Sequence, residues 1–378
     1  MARLGCVIQK YGEFTTSGAE RALSILISAL KDHRITVYCG AETQTEEVKI
    51  VNNIELKKFK FISDAEQKKN KEFLRIQKKI ASYVIPNPKE ELEFFTNFTN
   101  SPRLLQHLEA DSKELDLILV TPYIFGAGVL ASIRHGPKVV MIPCYHDEHF
   151  AKLNLVRLSW KLVKGFICYS ESEVTALTRI VGPKPFRVVG VPIPAAEVCR
   201  RSHGNYLVYI GRKDFAKGIV ELIDFVREYN RIFTDHIQLK VVGPGKIPLK
   251  FDETYTWLED ISDVPEDEKF QIIAGSLALV QPSKNESFSI VVMEAWATRV
   301  PVIVNRHCSV THDFCKKSGG GFSVSSFDEF CSCVRMLQTS PGLRDRLGDQ
   351  GYEFVRQNFN EPLIKKKFSD AIDYFLGL

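Results

Sequence analysis

Gln281-Pro282-Ser283-Lys284-Asn285-Glu286-Ser287-Phe288-Ser289-Ile290-Val291-Val292-Met293-Glu294-Ala295-Trp296-Ala297-Thr298-Arg299-Val300-Pro301-Val302-Ile303-Val304 reads as strand, loop, helix and strand. The apolar run Leu277–Val280 just before it predicts a short buried strand. Pro282, Ser283 and Asn285 break that run. Helical spacing holds from about Ser287 to Thr298, and Pro301 forbids continuation. Val302–Val304 predicts the next strand. Glu286 falls in the loop, and Glu294 falls about two turns into the helix. The amides of Ser287, Phe288 and Ser289 are expected to face outward at the helix N-terminus, an end that attracts phosphate or sugar oxygens. By itself the pattern equally describes a solvated helix whose N-terminal glutamate favours the dipole. The rest of the chain decides between the two.

A chain of 378 residues suggests two domains. With 44% hydrophobic and 25% charged residues it has ordinary globular composition. A net charge of +4 is too small to argue for a nucleic-acid partner. Nine cysteines with no Cys-x-x-Cys pair and no zinc spacing suit a reducing compartment. Cys331 and Cys333 read as surface residues and not as a redox pair. The first eight residues read as a strand, not a signal peptide, and no apolar run approaches the ~20 residues that span a bilayer. The expectation is a cytoplasmic protein, at most peripheral at the inner face of a membrane.

Upstream, Leu4–Gln9 predicts a strand, 10–17 a polar loop, and Gly18 the opening of a helix to about Lys31, before a strand at Ile35–Cys39. Such strand–loop–helix–strand units build doubly wound α/β domains. Gly18 is either a tight turn or a place where a ligand approaches the backbone. Residues 55–79 hold nine Lys/Arg against four Asp/Glu. Phe73, Ile76, Ile80 and Val84 form an apolar stripe on what reads as one long helix. That helix either packs on the domain or touches an anionic membrane through 55–84; the interleaved acids favour packing. Strands follow at Leu115–Val120, Lys138–Pro143, Gly165–Tyr169 and Phe186–Val189. His146-Asp147-Glu148-His149 lies past the fourth strand's carboxyl end, where α/β folds place ligands. Adjacent residues rarely converge on one ion, so no metal is expected there.

A linker near 195–204 leads to a second βα series that begins at Tyr206–Ile210. Gly211-Arg212-Lys213-Asp214-Phe215-Ala216-Lys217-Gly218 follows that strand, and the helix Ile219–Asn230 comes next. Cations at a loop-to-helix junction make an anion site, since arginine forks onto phosphate oxygens and lysine adds a point charge. Leu239–Val242 predicts a strand that Gly243-Pro244-Gly245 turns over. Residues 260–263 read as a loop before a helix at Glu266–Ala274, and 319–321 as a flexible turn. The reading is two doubly wound halves, 1–195 (with about 360–378) and 203–358, with an active site in the cleft between them.

Taken in order, Gly211-Arg212…Lys217-Gly218, Gly243-Pro244-Gly245, Pro282-Ser283…Glu286-(x7)-Glu294 and Pro301-Val302-Ile303 resemble glycosyltransferase family 4, retaining enzymes of the GT-B fold. Ser17-Gly18-Ala19-Glu20-Arg21 resembles the family's Gly-Gly-x-Glu segment, with serine for the first glycine. The resemblance implies two Rossmann-like domains and a last helix that crosses back to the first. It implies no cofactor and no metal, and the chain has no Asp-x-Asp triplet. A nucleoside-diphosphate sugar (UDP first, GDP second) would be the donor, and a glycan, lipid-linked or small-molecule acceptor the partner, as in polysaccharide biosynthesis. By the same resemblance Arg212 and Lys217 would bind the diphosphate and offset leaving-group charge. Glu286 would hold donor-sugar hydroxyls beside the Ser287–Ser289 amides, and Glu294 the ribose. Gly18, Gly211 and Gly243 would leave room for the donor, and His146 would reach its sugar. Arg299 stands where the family has a glycine in a left-handed cap, and 305–310 replaces its Gly-Gly-x-Pro-Glu loop. The alternatives are a sugar-nucleotide 2-epimerase of the same topology and a non-catalytic nucleotide-sugar binder on a membrane surface.

Overall fold

The computed structural model describes residues 1–11, 18–41, 46–194, 204–248 and 255–377. The chain divides into two compact units, Met1–Gly190 with Ile364–Leu378, and Val191–Leu363. Of the expected linker near 195–204, residues 195–203 lie outside the described residues.

The first unit is built on an eight-stranded sheet. Its strands are β1 (Arg3–Val7), β2 (Arg34–Ala41), β3 (Glu47–Val51), β4 (Ile54–Lys60), β5 (Leu117–Val120), β6 (Val139–Met141), β7 (Gly165–Cys168) and β8 (Phe186–Val188). Their order is β3-β4-β2-β1-β5-β6-β7-β8. Every pairing is parallel except β3 with β4. β5, β6 and β7 are buried at every residue, because helices cover both faces of a parallel sheet. That is why they read as unbroken apolar runs.

The basic tract is where sequence and structure part. Its first residues form β4, not helix, and pair with β3 through a turn at Asn52–Asn53. Both asparagines have positive φ, 50° and 65°, as a primed two-residue hairpin turn requires. The remainder makes two helices, Asp64–Lys69 and Lys71–Ala81, instead of one. Asn70 separates them, and its side chain accepts from the Phe73 amide at 3.0 Å. Phe73, Ile76 and Ile80 are buried in the core of the unit, with Phe73 stacked on Phe94 at 5.2 Å. The stripe thus packs on the domain, the reading that the interleaved acids favour, and Val84 lies beyond the helix, 52% exposed.

Glu91, on the helix Pro88–Asn97, is fully buried yet has both oxygens satisfied. One accepts from the Asn154 backbone and side-chain amides at 2.9 Å, the other from the Leu155 amide at 2.7 Å. A carboxylate from one helix thus caps the N-terminus of the helix Asn154–Leu162. The last helix, Glu361–Gly377, lays most of its length on this unit. Phe375 fills the space over Gly165, where an added Cβ would lie 2.5 Å from its ring, and Arg187 stacks on Tyr374 at 3.2 Å.

The second unit holds β9 (Tyr206–Ile210), β10 (Gln238–Val242), β11 (Leu258–Ile261), β12 (Ala278–Gln281), β13 (Val302–Asn305) and β14 (Gly321–Val324). They run parallel in the order β11-β10-β9-β12-β13-β14. This is the doubly wound arrangement, whose winding reverses between β9 and β12. β11 takes the first two residues of the expected loop at 260–263, while 262–263 remain loop; as an edge strand with exposed Glu259 and Asp260 it carries no apolar signature. β14 begins at Gly321, within the expected turn, and Gly319 (φ 63°) caps a further helix, Ser309–Ser318. Cys331 and Cys333 are not on the surface: both are buried in the second core, on the helix Phe327–Thr339. Among the described residues no helix is long and apolar enough to cross a membrane.

Candidate functional site

Three loops meet at the carboxyl ends of β9, β10 and β12, the switch point of the second sheet. After β9 the chain passes Gly211 and Arg212, and Asp214 then caps a single 3₁₀ turn, Phe215–Lys217, accepting from the Lys217 amide at 3.1 Å. The turn ends at Gly218 in a left-handed conformation (φ 73°), and the helix Ile219–Ile232 begins. A Cβ on Gly218 would lie 2.8 Å from the Pro282 carbonyl oxygen. Gly243, at the end of β10 with φ 133°, is tighter: a Cβ there would lie 2.4 Å from the Gly211 carbonyl oxygen. These two glycines are required by approach as well as by φ. They let the 211–218, 243–245 and 281–289 segments touch. The Lys213 amide donates to the Pro244 carbonyl at 3.1 Å and fastens the first two.

The three cations of the first loop separate by partner. Lys213 is buried; its Nζ donates to the Ile261 carbonyl at 2.8 Å and pairs with Asp260 at 2.5 Å, so it clamps β11. Arg212 is 69% exposed, with its Nε 3.6 Å from Asp214. Lys217 reaches across to the 281–289 loop, where its Nζ donates to Glu286 Oε1 at 2.7 Å. Two of the residues expected at the diphosphate and the sugar are therefore in direct contact, 69 positions apart in the chain. An ammonium has three donors, so the bond to Glu286 leaves two.

The 281–289 loop is held from within. Ser283 Oγ donates to the Asn285 carbonyl at 3.0 Å, and Asn305 Nδ2, at the end of β13, donates to the Pro282 carbonyl at 2.9 Å. Phe288 is a packing residue, edge-on to Phe314 and Phe359. The helix begins at Ile290, later than the pattern predicts, because Ser289 is left-handed (φ 65°). A non-glycine in that region costs on the order of 1–3 kcal/mol, and such residues cluster at ligand clamps. Ser289 makes no side-chain cap hydrogen bond to the helix amides. Instead its Oγ accepts from Gln281 Nε2 at 3.4 Å. Ser287 precedes this bend, and all three residues of 287–289 belong to the loop.

Glu294 lies on the helix Ile290–Ala297 and is buried, its side chain only 4% exposed. Its Oε1 accepts from Lys269 Nζ at 2.6 Å, and Lys269 comes from the helix Glu266–Ala274. Nothing in the spacing of Lys269 singles it out; only the packing of the two helices does. Arg299 does occupy the left-handed position (φ 59°) that a glycine was expected to need. Its guanidinium stacks on Tyr352 at 3.8 Å and pairs with Asp349 at 2.5 Å, contacts that offset the strain.

Gly18 and His146 belong to the first unit. Gly18 opens the helix Gly18–Ile27; Ser17 before it lies outside the described residues. His146 follows β6, with Nδ1 3.3 Å from Glu148 Oε1. That carboxylate accepts from the buried Tyr123 hydroxyl at 2.8 Å. Burial works to raise Glu148, but His146 and the Tyr123 hydroxyl together hold its carboxyl below the ordinary value. Burial, then the Glu148 charge, pushes the Tyr123 phenol well up. His149 turns away and packs on Tyr83 at 3.7 Å. Among the described residues no three of His, Cys, Asp and Glu are arranged to hold a metal. Glu173, which the sequence reads only as part of an acidic first helical turn, fixes this loop: its oxygens accept from the Tyr145 amide at 2.6 Å and the Tyr169 amide at 2.7 Å.

Known proteins resemble this chain in part of its sequence and in its fold. Residues 197–354, the unit with Arg212, Lys217, Glu286 and Glu294, match the family described as Glycosyl transferases group 1. A curated Xenopus tropicalis relative, glycosyltransferase 1 domain-containing protein 1, is 26% identical over 143 residues, which span 36% of this chain and 41% of that protein. A trehalose-6-phosphate structure from E. coli, bound with UDP-2-fluoro glucose, superposes with TM-score 0.72 at 12% identity over 100% of this chain and 99% of that one. Sucrose-phosphate synthase from Thermosynechococcus elongatus gives TM-score 0.70 at 14% identity over 100% of both chains. The fold is GT-B. A third GT-B chain, WaaG, a glycosyltransferase involved in lipopolysaccharide biosynthesis, gives TM-score 0.66 at 14% identity over 97% of this chain and 99% of that one. Within this GT-B chain the group 1 match falls on the sheet whose switch point gathers the candidate residues.

Proposed function

We propose that this protein is a metal-independent retaining glycosyltransferase of family 4 type. It moves a hexosyl group from a nucleoside-diphosphate sugar, UDP first and GDP second, to a hydroxyl acceptor. The observation that carries the reading is the Lys217–Glu286 contact at the β9/β12 switch point. A cation meant for phosphate and a carboxylate meant for sugar hydroxyls sit side by side, as the two ends of a sugar–diphosphate linkage demand. Exposed Arg212 supplies a second phosphate donor with its planar fork. Glu294 accepts from the ribose. The UDP-sugar analogue bound to the E. coli structure supports a UDP donor.

In the reaction the glycosidic C–O bond to the diphosphate breaks while the acceptor oxygen attacks from the same face. The departing phosphate oxygen takes the acceptor proton. Arg212 and Lys217 stabilise the charge that develops on the leaving diphosphate, and Glu286 fixes the sugar through its hydroxyls. We assign acceptor recognition to the first unit, where Glu148, held by the Tyr123 hydroxyl, lies 3.3 Å from the His146 ring nitrogen in the loop after β6.

Thermal-shift screening with UDP-, GDP-, ADP- and TDP-sugars identifies the donor, since a ligand that binds only the folded state raises its melting temperature. Glu286→Ala then abolishes transfer while the fold persists. Normal turnover in that variant refutes the assignment, and epimerised donor released without any acceptor selects the epimerase instead.

A further inference from the structure

We infer that Lys269 is a positioning residue for the nucleotide ribose, acting through Glu294; this rests on the reading of Glu294 as the ribose acceptor. Three observations point to it. Glu294 Oε1 is held by Lys269 Nζ at 2.6 Å. Glu294 Oε2 is buried and has no hydrogen-bond partner among the described residues. The carboxylate belongs to the helix that leaves the 281–289 loop. A buried acceptor without a partner is costly unless a ligand or water meets it. Here the cost falls on one oxygen, while its twin is immobilised.

The division leaves one fixed acceptor oxygen, whose two lone-pair sites can take a hydrogen bond from a ribose hydroxyl. A buried carboxylate with no partner samples several rotamers. One pinned at Oε1 presents Oε2 in a single place. Lys269 is itself held: its ammonium lies 5.0 Å over the Phe270 ring and 3.7 Å from Glu266. Its side chain is 12% exposed, so water competes weakly for it. Lys269 touches no substrate in this account. It turns a flexible acid into a fixed acceptor and so sets the preference for ribose over a sugar that lacks the hydroxyls.

The test is the affinity ratio between a nucleoside diphosphate and its 2′,3′-dideoxy analogue, measured by calorimetry on the full chain with UDP and GDP. Hydrogen bonds to a charged group set the expected ratio in the wild type at roughly 10- to 100-fold. Lys269→Met keeps the aliphatic stem and removes the charge, and shrinks the ratio to within ~3-fold of unity. Lys269→Arg retains most of it. Lys269→Met leaves a buried carboxylate unpaired and is a candidate for misfolding, so Lys269→Met is also placed in the Glu294→Gln background. There it changes the ratio less than ~2-fold, because Lys269 has nothing left to act through. An undiminished ratio in folded Lys269→Met, or a further large drop in the double variant, overturns the positioning role and leaves Glu294 at the ribose. A wild-type chain that binds nucleotide without discrimination removes Glu294 from the ribose, and the role of Lys269 with it.

Discussion

Separating Lys217 from Glu286 perturbs the centre of the proposed donor site, and its size follows from the geometry. Nζ and Oε1 are 2.7 Å apart, with side chains 22% and 11% exposed. At that distance the bare attraction in a medium of effective dielectric ~20 is about 6 kcal/mol. Desolvation of both ions and ordering of the lysine oppose most of it. The net coupling is on the order of 1–2 kcal/mol, above an exposed pair and below the loss from stranding a fully buried one. A double-mutant cycle of Lys217→Met, Glu286→Gln and the pair, read by urea unfolding, measures it. Lys217→Met alone strands a mostly buried carboxylate and destabilises by about 1–3 kcal/mol. Adding Glu286→Gln recovers about 1–2 kcal/mol of that. The two units can melt separately, so the transition to follow is the one that nucleotide shifts. Binding divides the roles. Lys217→Met weakens UDP or GDP by about 10- to 100-fold, the value of one charge-assisted phosphate bond. Glu286→Gln leaves the bare nucleotide within ~3-fold and weakens the nucleotide sugar, in proportion to hydrogen bonds lost at the hexose. Stabilities that add within ~0.5 kcal/mol, together with unchanged nucleotide affinity in Lys217→Met, refute the reasoning.

Gly243→Ala forces a Cβ to 2.4 Å from the Gly211 carbonyl oxygen at φ 133°, so the 211–218 loop must shift. We expect a loss of about 2–4 kcal/mol and of nucleotide binding, whereas Gly342→Ala, with open space around it, is neutral in both assays. Glu173 gives a pH signature in the first unit. Burial raises its carboxyl to about 8, against the pull of the Tyr169, Tyr145 and Ser170 hydrogen bonds. The folded chain therefore keeps a proton that the unfolded chain releases, and this stabilisation, full below about 4.5, is lost as pH rises through about 8. Glu173→Gln should flatten the fall in stability between pH 5 and 8 in urea titrations; an unaltered slope would place the proton elsewhere.

The parts of the site legible in the sequence are those fixed by local chemistry. Gly211, Gly218 and Gly243 announce backbone that other residues cannot adopt. Apolar runs at β5, β6, β9 and β12 announce buried parallel strands, since such strands are apolar on both faces. The polar edge strands β3 and β11 lack that signature. So does the core-facing stripe Phe73, Ile76 and Ile80, whose spacing suits a membrane helix as well as a packed one.

Order and spacing along the chain thus determined two doubly wound halves, and put a cationic loop and a carboxylate-flanked loop at strand ends. The tertiary structure alone decided which cation meets which carboxylate: Lys217 with Glu286, Lys269 with Glu294, and Lys213 taken out of the site by Asp260. Backbone preference acts between neighbours, whereas an ion pair forms between whatever side chains packing brings within about 4 Å, and no residue pattern along one segment encodes a distance to another.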